Sequence, residues 1–99
     1  MRWDFHPEAL EEYREAALYY TDREPSVALR FVEAVEDAIR RILEMPFAWR
    51  ALDDEVRRCL THRFPYGVLF TVDDDYILIV AVMHTSREPG YWRHRLGRT

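Results

Sequence analysis

The feature that most constrains this chain is the apolar run Tyr76-Ile77-Leu78-Ile79-Val80-Ala81-Val82-Met83, which empties directly into His84-Thr85-Ser86-Arg87-Glu88-Pro89-Gly90-Tyr91-Trp92-Arg93-His94-Arg95. A run of that length, rich in β-branched residues, reads as a strand buried on both faces. The residues at its exit include an acid/base group, a permanent cation and a phenol. That is the equipment of a phosphate-handling site.

The 99 residues make one domain, 1–99, large enough for a single core and too small for two. With 48% hydrophobic and 14% aromatic residues the composition argues against disorder. The single cysteine forbids an internal disulfide and fits a reducing compartment, and no apolar run reaches the roughly eighteen residues a bilayer span needs. The expectation is a soluble, cytoplasmic protein. A net charge of -4 is unlike a protein that grips nucleic acid chiefly through phosphates. The charge is uneven, however: residues 1–50 carry seven Arg against eleven acids, whereas residues 84–99 carry four Arg against Glu88 alone. All fourteen basic residues are Arg, the better bidentate phosphate ligand.

Trp3 and Phe5 alternate with Arg2 and Asp4, a short strand signal. Pro7 can open a helix, Glu8, Glu11 and Glu12 suit its first turns, and Ala9, Tyr13, Ala16, Ala17 and Tyr20 form one apolar stripe that should end near Asp22. A second helix is expected with Ser26 as N-cap, a buried face of Ala28, Phe31, Val32, Val35, Ile39, Ile42 and Leu43, and outer pairs Glu36–Arg40 and Asp37–Arg41; Pro46 stops it. The short link Arg23-Glu24-Pro25 makes the two helices an antiparallel hairpin. After an irregular stretch from Phe47 to Asp54, three strands are expected at Val56 to Phe64, Tyr66 to Val72 and Tyr76 to His84, with Asp73-Asp74-Asp75 as a tight connection. Neither parity of Val56 to Phe64 is cleanly apolar, which a bulge would reconcile. The fold class is therefore α+β, an N-terminal strand and a helix hairpin packed on one face of an antiparallel sheet, in the order β-α-α-β-β-β. The apolar residues exceed what two layers cover, so an exposed hydrophobic groove is expected.

This order of elements, with Val56-Arg57-Arg58, Arg63-Phe64-Pro65-Tyr66 and His84-x-x-Arg87-x-Pro89-x-Tyr91-Trp92-x-x-Arg95, resembles the RelE/ParE superfamily of bacterial toxins, a family that includes plasmid stabilisation proteins. The resemblance implies the toxin of a type II toxin-antitoxin module, a growth inhibitor neutralised by a small antitoxin encoded in the adjacent reading frame, as a heterocomplex or dimer. Members split between inhibitors of DNA gyrase and metal-independent, ribosome-associated messenger-RNA endonucleases, and the motifs do not choose between them. A degenerate, non-catalytic interaction module is a third reading.

For the nuclease branch the resemblance implies Arg63 and Arg87 as phosphate ligands, and His84 or Tyr91 as the base with the other as the acid. Metal-free RNA cleavage needs these groups: a base for the 2'-hydroxyl, a cation at the phosphate and an acid for the leaving oxygen. Arg57, Arg58, Arg93 and Arg95 are expected to bind the target, be it gyrase or the ribosome and its messenger RNA. The absence of Lys and the acidic balance depart from that branch and favour gyrase. No cofactor or metal is implied, since Cys59-x-x-His62 with His84 and His94 lacks paired ligand spacings. Each residue also has a plain structural use: Tyr91 and Trp92 to fasten the C-terminus, Arg63 as a solvated strand residue, Cys59 as a small buried apolar group.

Overall fold

The structure is a computed structural model that describes residues 1–97, leaving Arg98 and the last residue of the 1–99 domain outside the described residues. Strand β1 (Arg2–Phe5) leads into helix α1 (Pro7–Arg23), where His6 caps the helix through Nδ1, 3.1 Å from the Glu8 amide. Helix α2 (Pro25–Glu44) follows after Glu24 alone. Ser26 is not its N-cap. Pro25 occupies the first helical position, so the helix begins earlier than expected, Glu24 becomes the extended cap residue, and the Ser26 hydroxyl bonds the Glu24 carboxylate at 3.3 Å. On the outer side Arg41 pairs with Asp37 as expected, but Arg40 pairs with Asp37 and Glu44, while Glu36 takes the Tyr13 hydroxyl at 2.8 Å.

Strands β2 (Arg50–Ala51), β3 (Val56–Leu60), β4 (Tyr66–Asp73) and β5 (Tyr76–His84) complete a five-stranded sheet in the order β1-β5-β4-β3-β2. The α+β class and the β-α-α-β-β-β order hold, with a two-residue strand added inside the stretch read as irregular. The meander is antiparallel, but β1 pairs parallel to β5, so the sheet is mixed. A parallel neighbour needs a long crossover rather than a turn, and everything from α1 to β4 supplies it. Asp74, at φ 55, turns the β4–β5 hairpin. β3 stops at Leu60 because Thr61 to Pro65 form a compact turn, with the Thr61 hydroxyl donating to the Phe64 and Tyr66 carbonyls at 3.0 and 3.2 Å. The bulge lies elsewhere than expected: Leu69 faces Ala81 and Phe70 faces Ile79, leaving Val80 as the extra residue of β5.

The two sheet faces carry separate cores. Against the helices, Phe31, Val35, Ile39 and Ile42 of α2 meet Cys59, Val68, Phe70, Ile77 and Ile79. Phe31 lies at the middle of an aromatic cluster, its ring 4.9 to 6.2 Å from those of Tyr13, Tyr20, Phe64 and Tyr66. On the other face Val56, Leu69, Val80, Ala81 and Met83 pack beneath Trp92, with Leu52, Tyr91 and Leu96 around it. The excess apolar surface of β5 is thus covered by the chain's own C-terminal segment, which ends in a 3-10 turn, Arg93–Leu96. Apolar exposure lies instead at Leu18 and Leu29 on the helices, at Met45 and Phe47 after α2, and at Leu60.

Candidate functional site

The exit half of β5 positions the site. β1 reaches only from Tyr76 to Ile79, so among the described residues no strand flanks the rest of β5 on that side. An antiparallel ladder alternates residues facing the partner strand with residues facing away. Val80 and Val82 turn their polar groups outward, and side chains satisfy them. The Val82 N–H donates to Glu12 Oε1 at 3.1 Å, and the Val80 carbonyl accepts from Arg95 Nη1 at 3.1 Å. Arg95 in turn grips Glu12 with two bonds, 2.7 and 3.1 Å, and the Tyr91 hydroxyl donates to Glu12 Oε2 at 2.5 Å. Edge groups and a carboxylate buried beneath a helix are costly when unpaired, and these contacts meet both needs.

Next to this cluster a cleft of about 450 Å³ opens between α1 and the exits of β4 and β5. Glu12, Glu15, Tyr19 and Tyr20 line it from α1, and Tyr66, His84, Arg87 and Tyr91 from the opposite side. Three of the four residues implied as a nuclease set therefore converge. His84 stacks edge-on against Tyr66, ring centres 5.2 Å apart, and its Nδ1 lies 3.0 Å from the Ser86 amide and 2.7 Å from the Ser86 hydroxyl. Because the amide can only donate, Nδ1 accepts, and the neutral ring carries its proton on Nε2. The Arg87 guanidinium lies 3.8 Å over the Tyr91 ring. Burial, and then the hydrogen bond to the Glu12 carboxylate, push the Tyr91 phenol well above its ordinary range.

The fourth residue, Arg63, is not on the wall of the cleft; it sits exposed, with φ 67, in the turn between β3 and β4. The cations implied as target-binding also separate. Arg57 is half-buried and donates to the Trp49 and Phe47 carbonyls at 2.8 and 3.4 Å, tying down the segment after α2. Arg58 is half-buried on the opposite sheet face. Arg93 is exposed and paired with Asp53 at 2.8 Å. The Arg95 side chain is 6% exposed and held by Glu12, so it is turned inward as a fastener between the C-terminal segment and α1. Cys59, His62, His84 and His94 stay apart, with Cys59 buried in the helix-facing core, His62 near Asp37 and His94 on Glu8.

Glu12, Glu15, Tyr19, Tyr20 and Tyr66 are site residues that sequence reasoning did not assign. A signal existed in α1. Glu8, Glu12, Glu15 and Tyr19 repeat at i, i+4, i+7, i+11, a polar stripe beside the apolar one, which places them along one flank of the helix. Nothing in the local pattern says that the C-terminal segment returns to meet that flank.

Among the described residues no helix is long and apolar enough to cross a membrane, and no group of three or more His, Cys, Asp or Glu could hold a metal ion. The family profile described as "ParE toxin of type II toxin-antitoxin system, parDE" matches residues 4–89. No curated protein sequence matches the chain. Among solved structures, the chain is similar to one described as "Chromosomal ParDE TA system from P. aeruginosa", with a TM-score of 0.74 and 19% identity over 85% of this chain and 95% of that one. At that identity the likeness is one of fold.

Proposed function

The chain belongs to the ParE toxin family of type II toxin-antitoxin systems, and from that premise we propose that it arrests growth by binding DNA gyrase, without cutting RNA, and that a small antitoxin encoded in the adjacent reading frame neutralises it. The observation that carries the gyrase reading is the state of the two candidate bases. RNA cleavage through the 2'-hydroxyl needs a lone pair aimed at that proton. Tyr91 presents a hydroxyl already donated to Glu12 at 2.5 Å, and His84 accepts at Nδ1, which leaves a hydrogen on Nε2. The His84 ring therefore faces the cleft with an N–H, and the Tyr91 phenol, raised above its ordinary range, keeps its proton in the bond to Glu12 instead of serving as a phenolate base. Donors, tyrosine rings and one guanidinium suit recognition of a protein surface, where Tyr and Arg contribute most per residue. Exposed Leu18, Leu29, Met45 and Phe47 support an amphipathic antitoxin segment as partner.

The convergence of His84, Arg87 and Tyr91 on one cleft favours the second reading, a metal-independent endonuclease working on messenger RNA at the ribosome. Two assays separate them: supercoiling by purified gyrase and translation-coupled messenger-RNA cleavage, each run with the wild type and Arg87→Ala. The gyrase reading expects supercoiling to stop, no RNA product with a 2',3'-cyclic phosphate, and a graded loss of inhibition in the variant. Codon-positioned cleavage by the wild type, reduced roughly a hundredfold or more in Arg87→Ala, establishes the endonuclease instead. Co-expression with the adjacent frame should yield a stable complex; a chain that stays soluble, monomeric and indifferent to that product removes the antitoxin from the proposal.

A further inference from the structure

We propose that the open edge of β1 is a self-association surface, at which a second copy of this chain adds its own β1 antiparallel, Trp3 opposite Trp3, and joins the two sheets into one. β1 ends the sheet on its side and bonds β5 through alternate residues. The Arg2 N–H donates to the Asp75 carbonyl at 3.0 Å, and the His6 N–H to the Ile79 carbonyl at 2.8 Å. That parity points the N–H and C=O groups of Trp3 and Phe5 away from β5, where among the described residues no strand lies. An edge of unpaired groups is a template for another strand unless something covers it. Among the described residues only the Phe5 N–H is covered, by the Asp4 carboxylate at 2.8 Å.

Charge and register select the occupant. Phe5 and Trp3 lie on the helix face, so Arg2 and Asp4, which flank Trp3 with opposite signs, lie on the other. In an antiparallel pair centred on Trp3, Arg2 of each copy stands opposite Asp4 of the other, and both cross-strand pairs attract. A parallel pair in register would set Arg2 against Arg2 and Asp4 against Asp4. The two Trp3 residues then exchange two N–H to carbonyl bonds, and Phe5 of each copy exchanges two more with Met1 of the other. Asp4 turns to Arg2 of the second copy as the Phe5 N–H passes to a Met1 carbonyl. Arg2 is available for this, because its carboxylate within the single chain is Asp75 at 3.4 Å, an exposed pair that contributes little. On the helix face Trp3 is 36% exposed and borders a hollow of about 360 Å³ beside Ile39 and Leu43 of α2. A two-fold axis through the paired strands sets the two Trp3 rings side by side and closes both hollows. No residue of the hollow lines the cleft at His84, so pairing leaves the cleft open. A four-residue strand and one ring make a small contact, which places the pair among weak, reversible dimers.

The inference concerns self-association and stands whichever target the toxin has. Sedimentation of the full chain from about 10 μM to about 1 mM, a range suited to a small interface, should move from monomer toward dimer. Over the same range the Trp3 amide should gain protection from hydrogen exchange. Asp4→Arg and Arg2→Asp should each weaken association about tenfold. An equimolar mixture of these two variants should regain the wild-type dimer, because each supplies the sign the other lacks. Trp3→Ala should also weaken association, whereas Arg30→Asp, an exposed change in the first half of α2, should not. Unchanged melting temperatures confirm that the variants are folded. A chain still monomeric at about 1 mM would overturn the proposal and leave the edge to a different partner, such as an antitoxin strand. A mixture no better associated than either variant alone, or an Arg30→Asp loss equal to that of Asp4→Arg, would overturn it as well.

Discussion

The two faces of the sheet are covered in different ways. The helix face is closed by side chains whose spacing is periodic: Phe31, Val35, Ala38, Ile39 and Ile42 fall on one stripe of α2 and are all buried. The other face is closed by a short segment with little regular structure, held by Trp92, by the Arg95–Glu12 grip and by Arg93–Asp53. One cover is built from many small apolar contributions that add along a helix. The other depends on a few contacts, several of them polar and joining residues some eighty positions apart. The contrast teaches where this fold is robust and where one substitution can release a layer.

The largest test of the contrast is on the helix face. Phe31→Ala removes the ring at the centre of the aromatic cluster and should cost about 3–5 kcal/mol, with Ile79→Ala at about 2–5, a large share of a small domain's stability. Thermal or denaturant unfolding should remain a single transition shifted as a whole. An unchanged melting temperature for Ile79→Ala would mean that β5 does not form the shared wall of both cores.

The next largest effect belongs to the polar cover. Arg95→Met leaves the Glu12 carboxylate, 16% exposed, without its cation and should cost about 3 kcal/mol. Adding Glu12→Gln removes the stranded charge while keeping an acceptor for the Val82 N–H, so the double variant should recover more than half of the loss. A double variant as unstable as Arg95→Met alone would show that packing around Arg95, not the buried charge, holds the segment.

What could be read from residues alone follows the same division. Both helices, the hairpin between β4 and β5 and the apolar stripe of α2 are local patterns, and each stands where periodicity puts it. The departures have nonlocal or stereochemical causes: Pro25 advances the start of α2, β1 takes a parallel place that only the full crossover allows, and the bulge falls at Val80 rather than in β3. The site divides likewise. His84, Arg87 and Tyr91 are close in sequence and meet in the cleft, whereas Arg63 is turned out by its left-handed backbone and Arg95 is drawn inside by a carboxylate on α1. A buried ion pair between residues 12 and 95 leaves no spacing to read.

The smallest predicted effect concerns acid. The Asp53 carboxyl accepts the Glu55 and Val56 amides at 2.9 and 2.8 Å and pairs with Arg93, and these contacts hold it below the usual carboxylate range. Glu8 is likewise lowered, first by its hydrogen bond to His94. A carboxyl lowered on folding stabilises the native state above its unfolded pKa of about 4, and that contribution disappears as pH falls through the lower folded value. Asp53 and Glu8 both fasten the segment from Trp92 to Leu96 and not the helix face. As pH falls below about 4 the C-terminal cover should therefore loosen before the helix-side core does. Hydrogen exchange corrected for its intrinsic pH dependence measures this: amides of Arg93 and Arg95 should lose protection while those of Ile77 and Ile79 keep theirs. Asp53→Asn should flatten part of the dependence, because its side chain no longer titrates. Simultaneous loss of protection on both faces would mean that the two covers unfold as one unit, and the contrast between them would then be one of composition without a separate stability.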